Sequence, residues 1–124
     1  MEKEYVLEVA NTIREQLMTL TPLNTILSWG TGKFSATVYK DMPALTFKVN
    51  GRLHKGTDII ALNSADYYEV YLQSRKETIL INGEVCFDEL GDVIDEHIER
   101  GKDREEYNQF CRQQLSKLIE YTTF

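Results

Sequence analysis

Apolar residues recur every three or four positions near the start of the chain: Val6, Val9, Ala10, Ile13, Leu17 and Leu20, with Glu8, Arg14 and Glu15 outside the stripe. That spacing fits one face of a helix over residues 4–20. Thr21-Pro22 ends it, because the proline ring disfavours α geometry in the residue before it. From about residue 25 to 87 the period drops to two. Phe34, Ala36 and Val38 alternate with Ser35, Thr37 and Tyr39, and Leu45, Phe47 and Val49 alternate with Thr46 and Lys48. Ile60 and Leu62 fit a further strand, Tyr68, Val70 and Leu72 share one face of the next, and Ile79-Leu80-Ile81 begins another. Asn50-Gly51 and Asn82-Gly83 read as tight hairpin turns, since both dipeptides accept positive φ angles. Such turns join antiparallel strands, whereas parallel crossovers need a dozen or more connecting residues.

Two helices close the chain. Asp88 to Arg100 ends at Gly101, a residue suited to a left-handed C-terminal cap. Asp103 with Glu106 then has capping-box spacing, with aspartate in the place of serine or threonine. It opens a helix carrying Tyr107, Cys111, Leu115 and Leu118 on one stripe. The predicted fold is a single α+β domain over residues 1–124. It is an antiparallel meander of five to six strands with an N-terminal helix and two C-terminal helices packed on one face, the other face left open.

The stretch SWGTGKF, Ser28 to Phe34, resembles the start of a phosphate-binding loop, but the match fails on inspection. A P-loop needs glycine where Leu27 stands and a hydroxyl where Phe34 stands, and it must open a helix. FSATVYK has strand periodicity instead, so no helix N-terminus is available for a phosphate. A dinucleotide-binding GxGxxG fails at Ser35. The expected role is a β-turn between two strands.

Charge adds the clearest non-structural signal. Residues 1–83 hold nine acids and nine bases, whereas residues 84–124 hold eleven acids and five bases, which accounts for the whole net charge of −6. Within that half, 84–99 has seven acids and no lysine or arginine. At 100° per residue, Asp88, Asp92, Asp95 and Glu99 fall within about 60° of one another, with Glu89 and Glu96 at one flank. Like charges four apart each destabilise an isolated helix by roughly a few tenths of a kcal/mol. Such a ridge is either a solvated face or a docking surface for a basic partner. Divalent metal binding fits it poorly, because carboxylates along a rigid ridge diverge and no EF-hand loop is present. Neither a metal nor a cofactor is expected.

The opposite pole lies at residues 33–55, where Lys33, Lys40, Lys48, Arg52 and Lys55 face only Asp41. Phe34, Tyr39, Phe47 and His54 are interleaved with them, a pattern that can bind single-stranded nucleic acid by phosphate contact and stacking. Alternation, however, assigns Phe34 and Phe47 to the core. In YYEVY, Tyr68 packs inward while Tyr67 and Tyr71 flank Glu69 on the other face, where tyrosines serve interfaces well. His97 falls within the apolar arc as a half-buried structural residue, and Trp29 is expected to anchor the core. His54 could act as a general base, but no nucleophile is tied to it by spacing.

With 124 residues, the chain buries roughly two-thirds of its unfolded surface and needs no disulfide to fold. Cys86 and Cys111 are expected to be reduced core residues. MEKEYVLEV has acids where a signal peptide is basic and then apolar, and no apolar run approaches the ~20 residues of a membrane span. A cytoplasmic protein with no membrane association is expected. The element order and acidic balance are loosely similar to the small dimeric chaperones of bacterial secretion systems, with no shared motif and no residue assigned from the likeness. The leading expectation is a small non-catalytic adaptor, self-associating as a homodimer. It would bind a protein partner through Asp88, Asp92, Asp95, Glu99, Tyr67 and Tyr71. The alternatives are a nucleic-acid-associated protein using Lys40, Lys48, Arg52 and Lys55, and an enzyme of unrecognised type with His54 near its site.

Overall fold

The computed structural model describes residues 1–122 and has the expected α+β order. Helix α1 (Lys3–Leu20) is followed by a short helix α2 (Leu23–Ser28). Five strands come next: β1 (Gly32–Tyr39), β2 (Met42–Asn50), β3 (Lys55–Leu62), β4 (Tyr68–Gln73) and β5 (Thr78–Val85). They form one sheet in chain order, antiparallel throughout. Helix α3 (Leu90–Asp95) runs on into a π-helical turn (Glu96–Arg100), and α4 (Arg104–Thr122) follows. No helix among the described residues is long and apolar enough to cross a membrane.

The period-two residues Leu45, Phe47, Val49, Ile60 and Val70 form the sheet face of the main core. The α1 stripe (Val9, Ala10, Ile13, Leu17) lies on it, and Leu90, Ile94 and Ile98 of the C-terminal half close the other side. Trp29 is fully buried among them. Replacing such an indole by alanine typically costs about 3–5 kcal/mol, so it is a principal anchor. On the opposite face a small second cluster forms from Ala44, Ile59, Ala61 and Tyr71, flanked by Tyr39 and Met42.

Three local expectations change. First, SWGTGKF joins a helix to a strand, because LNTILS has already closed into α2. Gly30, with φ of 60°, makes the reversal that Trp29 begins. Second, Asn82-Gly83 lies inside β5, and the β4–β5 turn is at Ser74–Glu77, where the Ser74 N–H reaches the Glu77 carbonyl at 2.9 Å. The register of β5 slips between Tyr68 and Tyr71 of its partner strand. A bulge recruits the same residue types as a turn, and Asn82 Oδ1 accepts the Glu84 N–H at 3.0 Å. Third, Asn50 ends β2 paired with Lys55, so the β2–β3 link is Gly51 to His54. Gly51 is required there by close approach, not by its own φ. A Cβ at this position would overlap the Ile98 carbonyl oxygen.

The last helix also departs from expectation. Its cap forms as predicted, with Asp103 Oδ1 accepting the N–H groups of Glu105 and Glu106 at 3.0 and 3.1 Å. Its first turns meet the body through half-buried Tyr107 and Phe110. Leu115 and Leu118 are 58% and 61% exposed. Both cysteines are exposed and free rather than buried. Cys86 follows β5 on the surface, and Cys111 lies beyond the turns of α4 that touch the body.

Gly51→Ala is expected to destabilise the fold by roughly 2–3 kcal/mol, the cost of overpacking a tight contact. Gly32→Ala, where the space is open, should stay within about 0.5 kcal/mol of the parent. Urea titration of the pair checks this, and equal midpoints would remove Gly51 from its assigned role.

Candidate functional site

Helix α3 and its π turn carry the expected acidic ridge, and the fold turns two of its four acids inward. Asp95 and Glu99 are only 9% and 7% exposed. Asp95 Oδ1 accepts the Trp29 indole N–H at 2.9 Å. Burial raises the Asp95 carboxyl above its ordinary pKa, while the Trp29 bond and the Arg100 charge pull the other way. Glu99 Oε1 accepts the Arg52 backbone N–H at 2.8 Å, and its Oε2 accepts the Tyr107 hydroxyl at 2.6 Å. Burial, followed by that bond, pushes the Tyr107 phenol well up. Asp92 is exposed and holds Arg100 at 2.8 Å and Arg104 at 3.7 Å. Asp88 precedes the helix and is exposed. Asp88, Asp92, Asp95 and Glu99 are thus not a continuous surface. The flank they define faces Trp29, the β2–β3 link and α4, and partners there relieve the like-charge repulsion.

The link supplies the matching half. A helix leaves its last carbonyls without internal partners, and its C-terminal end favours cations. Here the Ile98 carbonyl accepts the N–H groups of Leu53 at 2.8 Å and His54 at 3.3 Å. Arg52 Nε donates to the Glu99 carbonyl at 3.0 Å and its Nη2 to the Arg100 carbonyl at 2.9 Å. The same guanidinium lies 5.3 Å from the Tyr107 ring centroid and 5.1 Å from that of Phe110. Residues 51–54 therefore clasp the end of the π turn and, through Arg52, fasten the start of α4.

Next to the clasp, sharing Arg100 and Tyr107 with it, lies a cleft of about 440 Å³ between the α1–α2 corner, α3 and α4. One wall is Leu20, Thr21, Pro22 and Thr25, and the other is Arg104, Tyr107 and Asn108. Asp88, Asp92, Asp95 and Arg100 line the floor and sides. Gly91 is placed so that a Cβ would run into the Thr21 side chain, which lets α3 approach the corner closely. Leu23 and Leu27 stand one helical turn apart on α2, 70% and 69% exposed, on the side of that helix away from the cleft-lining Thr25. Three of the four predicted ridge acids thus meet in the cleft, while Glu99 lies in the clasp.

The remaining candidates scatter. Tyr67 is partly exposed, but Tyr71 is buried. Its hydroxyl donates to Glu69 Oε1 at 2.6 Å, and its ring meets Tyr39 edge-on at 4.7 Å. Burial and Glu69 push that phenol up to about 12. Tyr71 therefore holds the open-face cluster together and does not present itself to a partner. Among the basic residues, Lys40 lies over the Tyr39 and Tyr71 rings, and Lys48 Nζ donates to Thr57 Oγ1 at 2.8 Å. Lys55 is exposed, and Arg52 is engaged in the clasp. Phe34 and Phe47 stack on each other within the core side, with Arg14 over Phe34. The interleaved phenylalanines and basic groups do not share a face.

Among the described residues, Cys86, Asp88 and Glu89 bring exposed ligand atoms within 4.8 Å of one another. Glu89 and Asp88 both hold the Cys86 thiol above its ordinary pKa, the opposite of what a metal-binding thiolate needs. His97 is half-buried with Nδ1 against the Val93 carbonyl at 2.8 Å. Sequence reasoning passed over Asp58, which is fully buried with neither carboxylate oxygen bonded. Its phase in β3, shared with Ile60 and Leu62, already placed it on the core face. Comparison with known protein families, curated proteins and solved structures gives no match.

Arg52→Lys should destabilise by about 1–2 kcal/mol, because a lysine cannot reproduce the forked bonds and ring stacking. Lys55→Ala, at an exposed position, should be close to neutral. Chemical denaturation of both variants tests the clasp, and a silent Arg52→Lys would refute it.

Proposed function

We propose that the protein is a cytoplasmic, non-catalytic adaptor that holds an amphipathic, basic segment of a protein partner in the cleft between the α1–α2 corner and α4. The observation that carries this reading is the meeting, in one cleft, of Asp88, Asp92 and Asp95 with the apolar surface of Leu20 and Pro22, Leu20 being 51% exposed. A segment with one or two lysines and a leucine or phenylalanine complements that arrangement. Arg100 and Arg104 limit the negative charge, so the fit favours a short basic motif over a polycation. A binding role, rather than catalysis, is supported by the way the cleft's ionisable groups pair among themselves: Asp92 with Arg100 and Asp95 with Trp29. The two buried side-chain groups among the described residues that have unpartnered atoms, Asp58 and His54 at Nε2, lie outside its lining.

A photo-crosslinking residue at Thr25 or Asn108 should capture one polypeptide segment, enriched in lysine or arginine, in the native host. The same probe at Lys76, away from the cleft, should not. Asp88→Asn with Leu20→Ser should weaken that capture severalfold, and capture should decline with added salt. Equal labelling from Thr25, Asn108 and Lys76 would discard the cleft.

Self-association is favoured by a separate observation. β5 is an edge strand, and Ile79 and Leu80 on it are 49% and 50% exposed. Exposed apolar edges pair readily with a second strand. Sedimentation over a concentration series should show a dimer, and Leu80→Lys should shift it to monomer. A monomer at all concentrations ends this part of the reading.

A further inference from the structure

β3 carries a chemical anomaly away from the cleft. Asp58 is fully buried, and neither of its carboxylate oxygens has a hydrogen-bond partner. Across the sheet it faces Phe47 of β2 and Leu72 of β4, neither of which can donate. A second orphan lies on the same face. His54 Nε2 is buried and unbonded, and it would stand 3.1 Å from a Cβ built on Gly56. Gly56 and Asp58 are two residues apart and so share a face of the strand. A Cβ at Gly56 would run first into the Gln73 carbonyl oxygen of β4 and then into the imidazole, so the missing side chain lets both close over this end of β3.

A buried carboxylate with no donor is costly, and the group escapes that cost by keeping its proton. Burial alone raises Asp58, to about 8, with no charged neighbour contributing. The ionisable groups on the nearby elements are otherwise engaged. Arg14 of α1 lies over the Phe34 ring, and His97 of the π turn rests against Glu96 and the Val93 carbonyl. Burial also lowers His54, outweighing a hydrogen bond of its ring with the Thr57 backbone that pulls the other way, and so favours the neutral ring. Carboxylic acid and imidazole are then both uncharged at neutral pH, and the imidazole belongs to the segment that clasps the π turn.

We propose that Asp58 and His54 form a buried proton-holding couple, and that loss of the Asp58 proton on the alkaline side of neutrality loosens the 51–54 clasp and with it the seat of α4. A bare carboxylate beneath His54 demands a donor. The nearest unpartnered ring nitrogen on that face belongs to a residue whose own N–H is bonded to the Ile98 carbonyl. Satisfying the carboxylate by turning that ring, or by admitting water past it, pulls on the bonds from Leu53 and His54 to Ile98. Arg52 is next in the chain and holds Glu99, Arg100, Tyr107 and Phe110. The device does not depend on what the cleft accepts.

The sign follows from linkage. The proton is held more tightly in the folded chain than in the unfolded one, so stability is greatest at acid pH and falls as pH rises toward 8. Relative to Asp58→Asn, the unfolding constant of the parent should rise about tenfold per pH unit between pH 5 and 7 and level off above 8. The ¹³C carboxyl resonance of Asp58 should titrate near 8. In the parent the Arg52 Nε–H resonance should shift with the same midpoint, and in Asp58→Asn it should not. A carboxyl that titrates below 5, or an Arg52 resonance that ignores it, overturns the proposal. If Asp58→Asn fails to fold, the two resonances of the parent decide alone.

Discussion

The end of a helix is an electrostatic problem, and the C-terminal end of the α3–π segment is where this fold concentrates its solution. Carbonyls at 98, 99 and 100 point away from the helix, and each is met by a donor from the β2–β3 link. The π turn closes with the Gly101 N–H on the Glu96 carbonyl at 2.9 Å, and Gly101 leaves it with φ of 80°. The link can come this close because residue 51 has no side chain. Sheet, C-terminal helices and cleft are coupled through four residues, so a change there reaches all three.

The same segment explains how an acid-rich helix is tolerated. Seven acids without a base over 84–99 would repel one another on an exposed ridge. Folding places donors among them instead: an indole at Asp95, a backbone N–H and a phenol at Glu99, guanidiniums at Asp92. Breaking a buried pair by removing one partner costs more than the pair itself contributes. The ridge is therefore sensitive to its neighbours, even where its own residues are left intact.

Much of the architecture was legible from periodicity. The α1 stripe, the antiparallel meander, the Gly101 cap and the Asp103 cap follow from spacings that local physics enforces. What could not be read depended on long-range approach. Asn50-Gly51 looked like a turn because glycine is permissive, yet its glycine answers to a carbonyl 47 positions away. Asn82-Gly83 carried the same signal and became part of an irregular strand. Helical angles correctly grouped Asp92, Asp95 and Glu99 but could not say which way the group faces. The tyrosine alternation placed Tyr71 on the open face without revealing that this face has its own small core. The cleft brings together residues 20–25 and 88–108, a juxtaposition that no local pattern encodes.

Asp58 shows why a violation of pattern carries information. A carboxyl in phase with Ile60 is a local conflict that a purely structural strand would avoid, since an apolar residue of similar volume would remove the desolvation penalty. The site also lacks the compensations given to the other two buried acids among the described residues, Asp95 and Glu99, each of which has a donor. Asp95 and Glu99 are bonded because helix ends and loops can be steered toward them. A position in the middle of β3 is fenced by backbone that is already paired on both sides, so its relief must come along its own strand. His54 Nε2, the other unpartnered buried side-chain atom among the described residues, stands where the strand hands over to the clasp. Any change in the charge of Asp58 is thereby transmitted toward α4 rather than dissipated in the core.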